Sequence, residues 1–262
     1  MRKFCMFLMG MLVFSSWAQK PIATQYVDTE PLNGAFFIGK NIFNTSYFLK
    51  GQVFIEKRTE LVREYQNIAL GSIHHVDFVN PAQICLFYKD FNTVVLLDKE
   101  LSLIKTIKLT ETNPQLVPGF VGMSSQNRLW IWDEATNQLG QLSIQTLTYT
   151  ALTTAFLEPI QYRYSDVNYF YWITQSNQLY CSDIYGKLTR LSDLPVFDRI
   201  QIINRDKILY LRHNQLYYLD LQSGVQTAIP LVEKSISGFF FNTQILSIFT
   251  DLEIKNYLIT LP

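Results

Sequence analysis

Cysteine, histidine and long apolar runs are scarce in this sequence, and each scarcity excludes a class of protein. Three cysteines and three histidines occur in 262 residues, too few for a disulfide framework or a histidine-rich metal site. Beyond the first eighteen residues, no apolar run approaches the roughly 20 residues that a membrane-spanning helix needs. Lysine and arginine do not cluster, and 22 basic residues balance 22 acidic ones, which argues against nucleic acid or an anionic membrane surface as a partner.

Familiar catalytic and cofactor signatures are absent as well. The sequence contains no GxSxG, no HExxH, no P-loop, no Rossmann glycine fingerprint and no calcium loop. We therefore expect a non-enzymatic protein that needs no cofactor.

The first eighteen residues have the pattern of an export signal. Arg2 and Lys3 precede an uncharged apolar run at 4–14, and small residues at Ser16 and Ala18 fit a signal-peptidase site before Gln19. This pattern predicts a signal peptide over 1–18 and a single mature domain over 19–262. The expected location is the periplasm, with the cell surface or the extracellular medium as alternatives.

One short phrase recurs along the rest of the chain at intervals of 37 to 45 residues. NQLYYLDLQSG at 214–224 is matched by weaker copies at 51–60, 92–101, 137–146 and 177–186, and one further step reaches Asp251. A period near forty residues is typical of a repeat architecture.

Each repeat contains four short strand-like runs separated by turn residues. In the unit at 73–109 these are VDFV, QICLFYK, TVVLLD and SLIKTIKL, and the unit at 198–231 repeats the order. Four strands repeated six times predict a six-bladed β-propeller with antiparallel blades. The last unit has only three strands, so we expect ATQYVDTEPL at 23–32 to supply its fourth strand and close the ring. A pair of β-sandwiches is the alternative.

The leading residue of the phrase falls in the turn between the second and third strands. It is asparagine in four copies, which suits a tight hairpin because asparagine tolerates positive φ. Cys85 and Cys181 lie in non-adjacent repeats, and we therefore expect two buried, unpaired thiols.

His75 and Asp77 are the first candidates for chemistry, since they share one face of a strand that should be innermost in its blade. With only His213 farther along the chain, three histidines cannot converge on a metal, and a polar channel lining is the expected role. Asp90, Asp133, Glu134 and Asp251 should share one rim. Turn carboxylates usually cap backbone groups, although paired carboxylates can also cleave a glycoside.

Aromatic residues make up 15% of the chain, and a carbohydrate platform is one use for them. Tyr162, Tyr164 and Tyr169 are candidates, with Arg128 beside Trp130 as a polar contact. Because strands between blades are buried on both faces, most of these rings should be core. The remaining candidate contacts are Lys89 and His213. The connections at 110–119 and 155–160 should lie on the same face as the asparagine turns, where loops meet partners.

The segments VVLLDKELSLIKTI and LYYLDLQSGVQTAI resemble the blade repeats of exported bacterial β-propellers, including uncharacterised ones of Bacteroidota. That resemblance concerns architecture. The resemblance implies that the protein acts as an accessory subunit of an outer-membrane machinery. The sequence departs from the quinone-binding propellers, which have a glycine and a tryptophan in each blade.

The function expected from the sequence is a scaffold that binds envelope or outer-membrane proteins. The alternative is a propeller that binds or cleaves a glycan with channel-facing acids and exposed tyrosines.

Overall fold

The structure, a computed structural model, describes residues 22–59, 61–233 and 235–262. The described residues form six four-stranded antiparallel sheets arranged as the blades of a ring. This architecture confirms the predicted six-bladed β-propeller. The predicted signal peptide lies outside the described residues.

The strands of the first three blades follow one another from the channel outwards. Blade 1 comprises β2 (Phe36–Lys40), β3 (Ser46–Lys50), β4 (Val53–Arg58) and β5 (Leu61–Tyr65). Blade 2 comprises β6 (His75–Asp77), β7 (Ile84–Tyr88), β8 (Thr93–Leu97) and β9 (Leu103–Lys108). Blade 3 comprises β10 (Pro118–Ser124), β11 (Arg128–Asp133), β12 (Gln138–Ser143) and β13 (Tyr149–Ala151).

The next two blades keep the same order, and the sixth departs from it. Blade 4 comprises β14 (Ile160–Ser165), β15 (Tyr169–Thr174), β16 (Gln178–Asp183) and β17 (Leu188–Asp193). Blade 5 comprises β18 (Arg199–Ile202), β19 (Lys207–Arg212), β20 (Gln215–Asp220) and β21 (Gln226–Ile229). Blade 6 comprises β22 (Gly238–Asn242), β23 (Ile245–Phe249), β24 (Glu253–Ile259) and, as its outer strand, β1 (Thr24–Pro31).

Pairing of β1 with β24 closes the ring, as the sequence predicts. The register runs from Thr24 opposite Ile259 to Pro31 opposite Glu253, with a bulge between Tyr26 and Asp28. The edge that the three C-terminal strands would otherwise expose is thereby covered.

Helical structure is confined to short segments of the connections. The described residues contain one α-helix, α1 (Leu109–Thr112), and two 3₁₀ turns at Ile68–Leu70 and Lys89–Phe91. None of them is long and apolar enough to cross a membrane.

The repeated asparagine occupies the turn between the second and third strands of each blade that carries it. Asn92, Asn137, Asn177 and Asn214 have φ between 45° and 61°, and Gly51 has φ 60° at the equivalent position of blade 1. These residues are tolerated at positive φ because glycine lacks a Cβ and asparagine bonds locally. In blade 6, Thr250 accepts a hydrogen bond from the Glu253 amide instead.

The hydrophobic core is divided into six clusters, one between each pair of neighbouring blades. The clusters between blades 1 and 2 and between blades 2 and 3 are mainly aliphatic, whereas the cluster between blades 3 and 4 is built around Trp130, Trp132, Phe170 and Trp172. Because both sheet faces are covered, the middle strands are apolar on both sides.

The two cysteines among the described residues are buried in these clusters and form no disulfide with each other, as predicted. Cys85 lies between blades 2 and 3, and Cys181 lies between blades 4 and 5. Burial raises the pKa of each thiol, which keeps both protonated near neutral pH.

Candidate functional site

The two ends of the ring differ in what they expose. We call upper face the end that carries the turns between second and third strands together with the connections between blades, and lower face the opposite end. The connections at 110–119 and 155–160 lead to the upper ends of β10 and β14, so they lie on the upper face with the asparagine turns, as predicted.

Each connection between blades on the upper face exposes an apolar side chain. Each of the six inter-blade connections, counting the first residue of β2, presents one large apolar side chain that is between 46% and 85% exposed. We call these side chains the apolar ring; its members are Phe36, Ile68, Val117, Leu157, Val196 and Val232.

The same face is acidic. Its described turns and connections contain seven carboxylates, and three of these form ion pairs with lysines: Glu111 with Lys108, Glu134 with Lys89 and Glu233 with Lys255. The carboxylates belong to Asp90, Glu111, Glu134, Glu158, Asp198, Glu233 and Asp251. The other four carboxylates form no ion pair with a described residue, and they contribute negative charge around the apolar ring.

His75 and Asp77 share one face of β6, as predicted, but that face is turned towards blade 3. The His75 ring packs 4.4 Å from the ring of Phe120, and burial lowers the pKa of His75 to about 4. Asp77 accepts hydrogen bonds from the amides of Val79 at 2.9 Å and Met123 at 2.7 Å. Burial raises the pKa of Asp77 to about 6, although both amide bonds oppose the rise.

Below this level, Asp77 and Ser165 converge on Gly122 of β10. A Cβ at Gly122 would lie 2.3 Å from Ser165 Oγ and 3.0 Å from Asp77 Oδ2. Ser165 Oγ is buried and has no hydrogen-bond partner among the described residues. The inner strands of blades 2, 3 and 4 thus approach one another so closely at this point that only glycine fits at position 122.

Lys89 and Glu134 join blades 2 and 3 on the upper face. Lys89 Nζ lies 3.1 Å from Glu134 Oε2, and the Glu134 side chain covers Gly119 on the inner strand. The pKa of His74 responds to this ion pair. Burial and the positive charge of Lys89 lower the pKa, whereas the negative charges of Glu134 and Asp90 raise it. Asp90 itself lies in the 3₁₀ turn Lys89–Phe91.

Asp133 and His213 are held by backbone contacts on this face. The buried carboxylate of Asp133 accepts hydrogen bonds from the Val117 and Ala135 amides and the Thr136 hydroxyl. His213 has φ 50° in its turn, and its amide donates to Asp198 Oδ2 at 2.8 Å. Asp133 therefore caps backbone groups, as expected for an aspartate in a turn.

The candidate carbohydrate platform is largely enclosed. Tyr162, Tyr164 and Tyr169 pack against the cluster between blades 4 and 5, because β14 and β15 are covered by neighbouring blades on both faces. Trp130 is fully buried and donates its indole N–H to the Asp166 carbonyl. Arg128 bonds Gln141 Oε1 at 3.1 Å at the lower end of β11. These residues therefore form no exposed aromatic surface together.

Sequence reasoning missed Arg163, which lies between Tyr162 and Tyr164 on β14. Its guanidinium carbon is 5.5 Å from the centroid of the Trp132 ring, and its Nε is buried without a hydrogen-bond partner in the part of the chain that the structure describes. Burial lowers the pKa of Arg163, while the carboxylate of Glu134 raises it. The sequence did contain one indication of Arg163: it is a charged residue within a strand that is expected to be covered by neighbouring blades on both faces.

No cluster of three or more histidine, cysteine, aspartate or glutamate side chains suited to a metal occurs within the described ranges. The converging groups of this site are instead hydrogen-bond donors and single carboxylates.

Comparison with known proteins establishes the fold alone. No protein-family model and no curated protein matches the chain. Among solved structures, a streptogramin B lyase has a TM-score of 0.55 and 12% identity, with 89% of this chain and 98% of that one covered. A virginiamycin B lyase from Staphylococcus aureus has a TM-score of 0.54 and 13% identity, covering 85% and 79%. A BBS1N chain in complex with ARL6DN has a TM-score of 0.54 and 8% identity, covering 82% and 74%.

Proposed function

We propose that this protein is a non-enzymatic interaction scaffold of the bacterial cell envelope, exported to the periplasm as one domain over 19–262. It binds a partner protein through its upper face. The similar folds include lyases and a protein complex alike, so the fold does not choose between catalysis and binding.

The observation that supports this proposal is the apolar ring on an acidic face. Six large apolar side chains, one on each connection between blades, are exposed on one face, and accumulated exposed apolar surface is a mark of interaction sites. The blades hold their connections in place, so little conformational entropy is lost on docking.

Charge indicates the chemistry of the partner. The four carboxylates of the upper face that form no ion pair with a described residue disfavour an anionic lipid surface and favour a protein whose apolar patch is bordered by lysine or arginine. A membrane surface and a second copy of the chain are therefore the disfavoured occupants.

The test is recovery of partners from envelope fractions in mild detergent with the tagged full chain. The upper-face variant carries Ile68→Ser, Leu157→Ser and Val232→Ser, at positions that are 77%, 84% and 85% exposed. The matched control carries Ile42→Ser, Phe43→Ser and Tyr185→Ser on the lower face.

We expect a stoichiometric partner with the wild type and the control, and its loss with the upper-face variant. Equal recovery by all three proteins, or no stoichiometric partner, contradicts the proposal. Light scattering of the purified chain identifies self-association, and binding to anionic vesicles identifies a lipid surface; either result also contradicts it.

A further inference from the structure

Arg163 is a charged side chain on an innermost strand that has no acceptor among the described residues. It forms neither a hydrogen bond nor an ion pair with them, and its Nε is buried. The carboxylate whose charge it senses, Glu134, is already bonded to Lys89 at 3.1 Å. The Arg163 guanidinium forms a cation–π contact with Trp132.

Two further donors without acceptors lie in the same inter-blade cluster. Trp132 and Trp172 are each 1% exposed, and neither indole N–H has a hydrogen-bond partner within residues 22–59, 61–233 and 235–262. Trp172 lies directly opposite Arg163 in the pairing of β14 with β15, so both side chains are on the face turned towards blade 3. By contrast, the indole of Trp130 in that cluster bonds the Asp166 carbonyl at 2.9 Å.

Buried donors are almost always satisfied in folded proteins, so three unsatisfied ones in a single cluster call for an acceptor. A guanidinium offers parallel N–H groups that match the two oxygens of a carboxylate, and an indole adds a single N–H. Neither residue type can accept a hydrogen bond, which excludes a ligand group that only donates.

We propose that Arg163, with the indole donors of Trp132 and Trp172, forms a binding site for a ligand carboxylate between blades 3 and 4 beside the channel. The acidic upper face limits the ligand to one whose remaining body is neutral or cationic. The site stands whether or not the upper face binds a protein.

Nuclear magnetic resonance of the ¹⁵N-labelled full chain tests this site. The probes are butyrate, the acetylated tripeptide lysine-alanine-leucine with a free carboxyl terminus, the same tripeptide as its amide, and inorganic phosphate. The signals followed are the Nε–H of Arg163 and the three indole N–H groups, each assigned from a substituted variant. Trp130 is the internal control, because its indole is already bonded.

We expect butyrate and the free-acid tripeptide to shift the Arg163 signal and that of Trp132 or Trp172, while Trp130 and the amide titration show no change. If the tripeptide binds about tenfold more tightly than butyrate, the natural source is a peptide terminus; equal affinity indicates a small acid. Both results support the site. No shift, or a shift with phosphate alone, overturns it.

Arg163→Gln should abolish binding, and Arg163→Lys, which keeps the charge over Trp132, should weaken it at least about tenfold because the fork geometry is lost. Arg205→Gln is the matched control: Arg205 lies 5.0 Å from the Tyr169 centroid on the lower face. The Arg205→Gln variant should bind butyrate and the free-acid tripeptide with the affinity of the wild type. Loss of binding in Arg205→Gln, or retention in both well-folded Arg163 variants, contradicts the assignment.

Discussion

Asn256 Nδ2 lies 2.6 Å from Asp28 Oδ1, and this hydrogen bond joins the last strand of the chain to its first across 228 positions of sequence. Asn256 is buried; it also donates to Glu30 and accepts from the Ser247 hydroxyl. Burial alone would raise the pKa of Glu30, but the ion pair with Lys40 of blade 1 lowers it. Ring closure therefore depends on a polar cluster as well as on backbone pairing.

Asn256→Ala should lower the free energy of unfolding by about 1–3 kcal/mol, because it removes three hydrogen bonds and leaves the buried Ser247 hydroxyl without its acceptor. Urea denaturation followed by circular dichroism measures the change. Asn168→Ala, at an exposed turn position, is the control and should stay within about 0.5 kcal/mol of the wild type. Equal stability of the two variants would show that strand pairing alone holds the ring closed.

Gly122→Ala should destabilise the fold by about 1–3 kcal/mol, since the added Cβ meets Ser165 Oγ at 2.3 Å. Ser165→Ala removes that oxygen, so the double variant should regain part of the loss. A double-mutant cycle in urea measures the coupling between the two positions. Additive effects would mean that the strands separate freely at this level.

His75 and Asp77 should give opposite dependences of stability on pH. The folded pKa of His75 is lowered to about 4, so its contribution to stability is lost as the pH falls from about 6.5 towards 4. The folded pKa of Asp77 is raised to about 6, so its charged form costs stability as the pH rises from about 4 to 6. Each effect is roughly 3 kcal/mol at most.

Relative to the wild type, His75→Gln should therefore gain stability as the pH falls through this window, and Asp77→Asn should gain stability as the pH rises. Urea unfolding at pH 4, 5, 6 and 7 measures both differences. Flat differences across the four values would show that neither group is desolvated as the packing implies.

The pKa of His74 should respond to its neighbours on the upper face. Lys89→Ala removes a charge that lowers this pKa and should raise it, while Glu134→Gln removes a charge that raises it and should lower it. Titration of the imidazole signals by nuclear magnetic resonance gives both values. Lys89→Ala should change the free energy of unfolding by less than about 1 kcal/mol, because the ion pair between Lys89 and Glu134 is partly exposed to solvent. An unchanged His74 titration in both variants would place the pair too far from the ring.

Asn137→Ala should cost roughly 1 kcal/mol and Asn137→Gly much less, because φ is 53° at this turn and a Cβ disfavours it. Gly51→Asn, which introduces the residue of the other blades at φ 60°, should keep the stability of the wild type or raise it slightly. Thermal unfolding of the three variants ranks them. Equal loss for alanine and glycine would assign the role of Asn137 to its side chain instead.

The repeat could be read from the sequence because each blade is encoded by local chemistry. Alternating runs specify strands, and residues such as Asn92 and Asn177 specify the turns between them. The aromatic pattern of NYFYWIT also anticipated its packing: Tyr169 and Tyr171 contact the cluster between blades 4 and 5, and Phe170 and Trp172 that between blades 3 and 4.

The site could not be read in the same way, because it is assembled across blades. Asp77 and Ser165 meet at Gly122, and Arg163 approaches Trp132, through contacts between separate repeats. Nothing local to YRYS indicates that its arginine lacks an acceptor, since that depends on which side chains the neighbouring blade presents.

The sequence by itself determined the six blades, their hairpins and the closing strand, because strand period and turn residues act over a few positions. Only the tertiary structure decided which face carries the apolar ring, why the tyrosines at 162 and 164 are core, and where unsatisfied donors gather. Those properties arise from the packing of sheet against sheet, and packing joins residues that are distant in sequence.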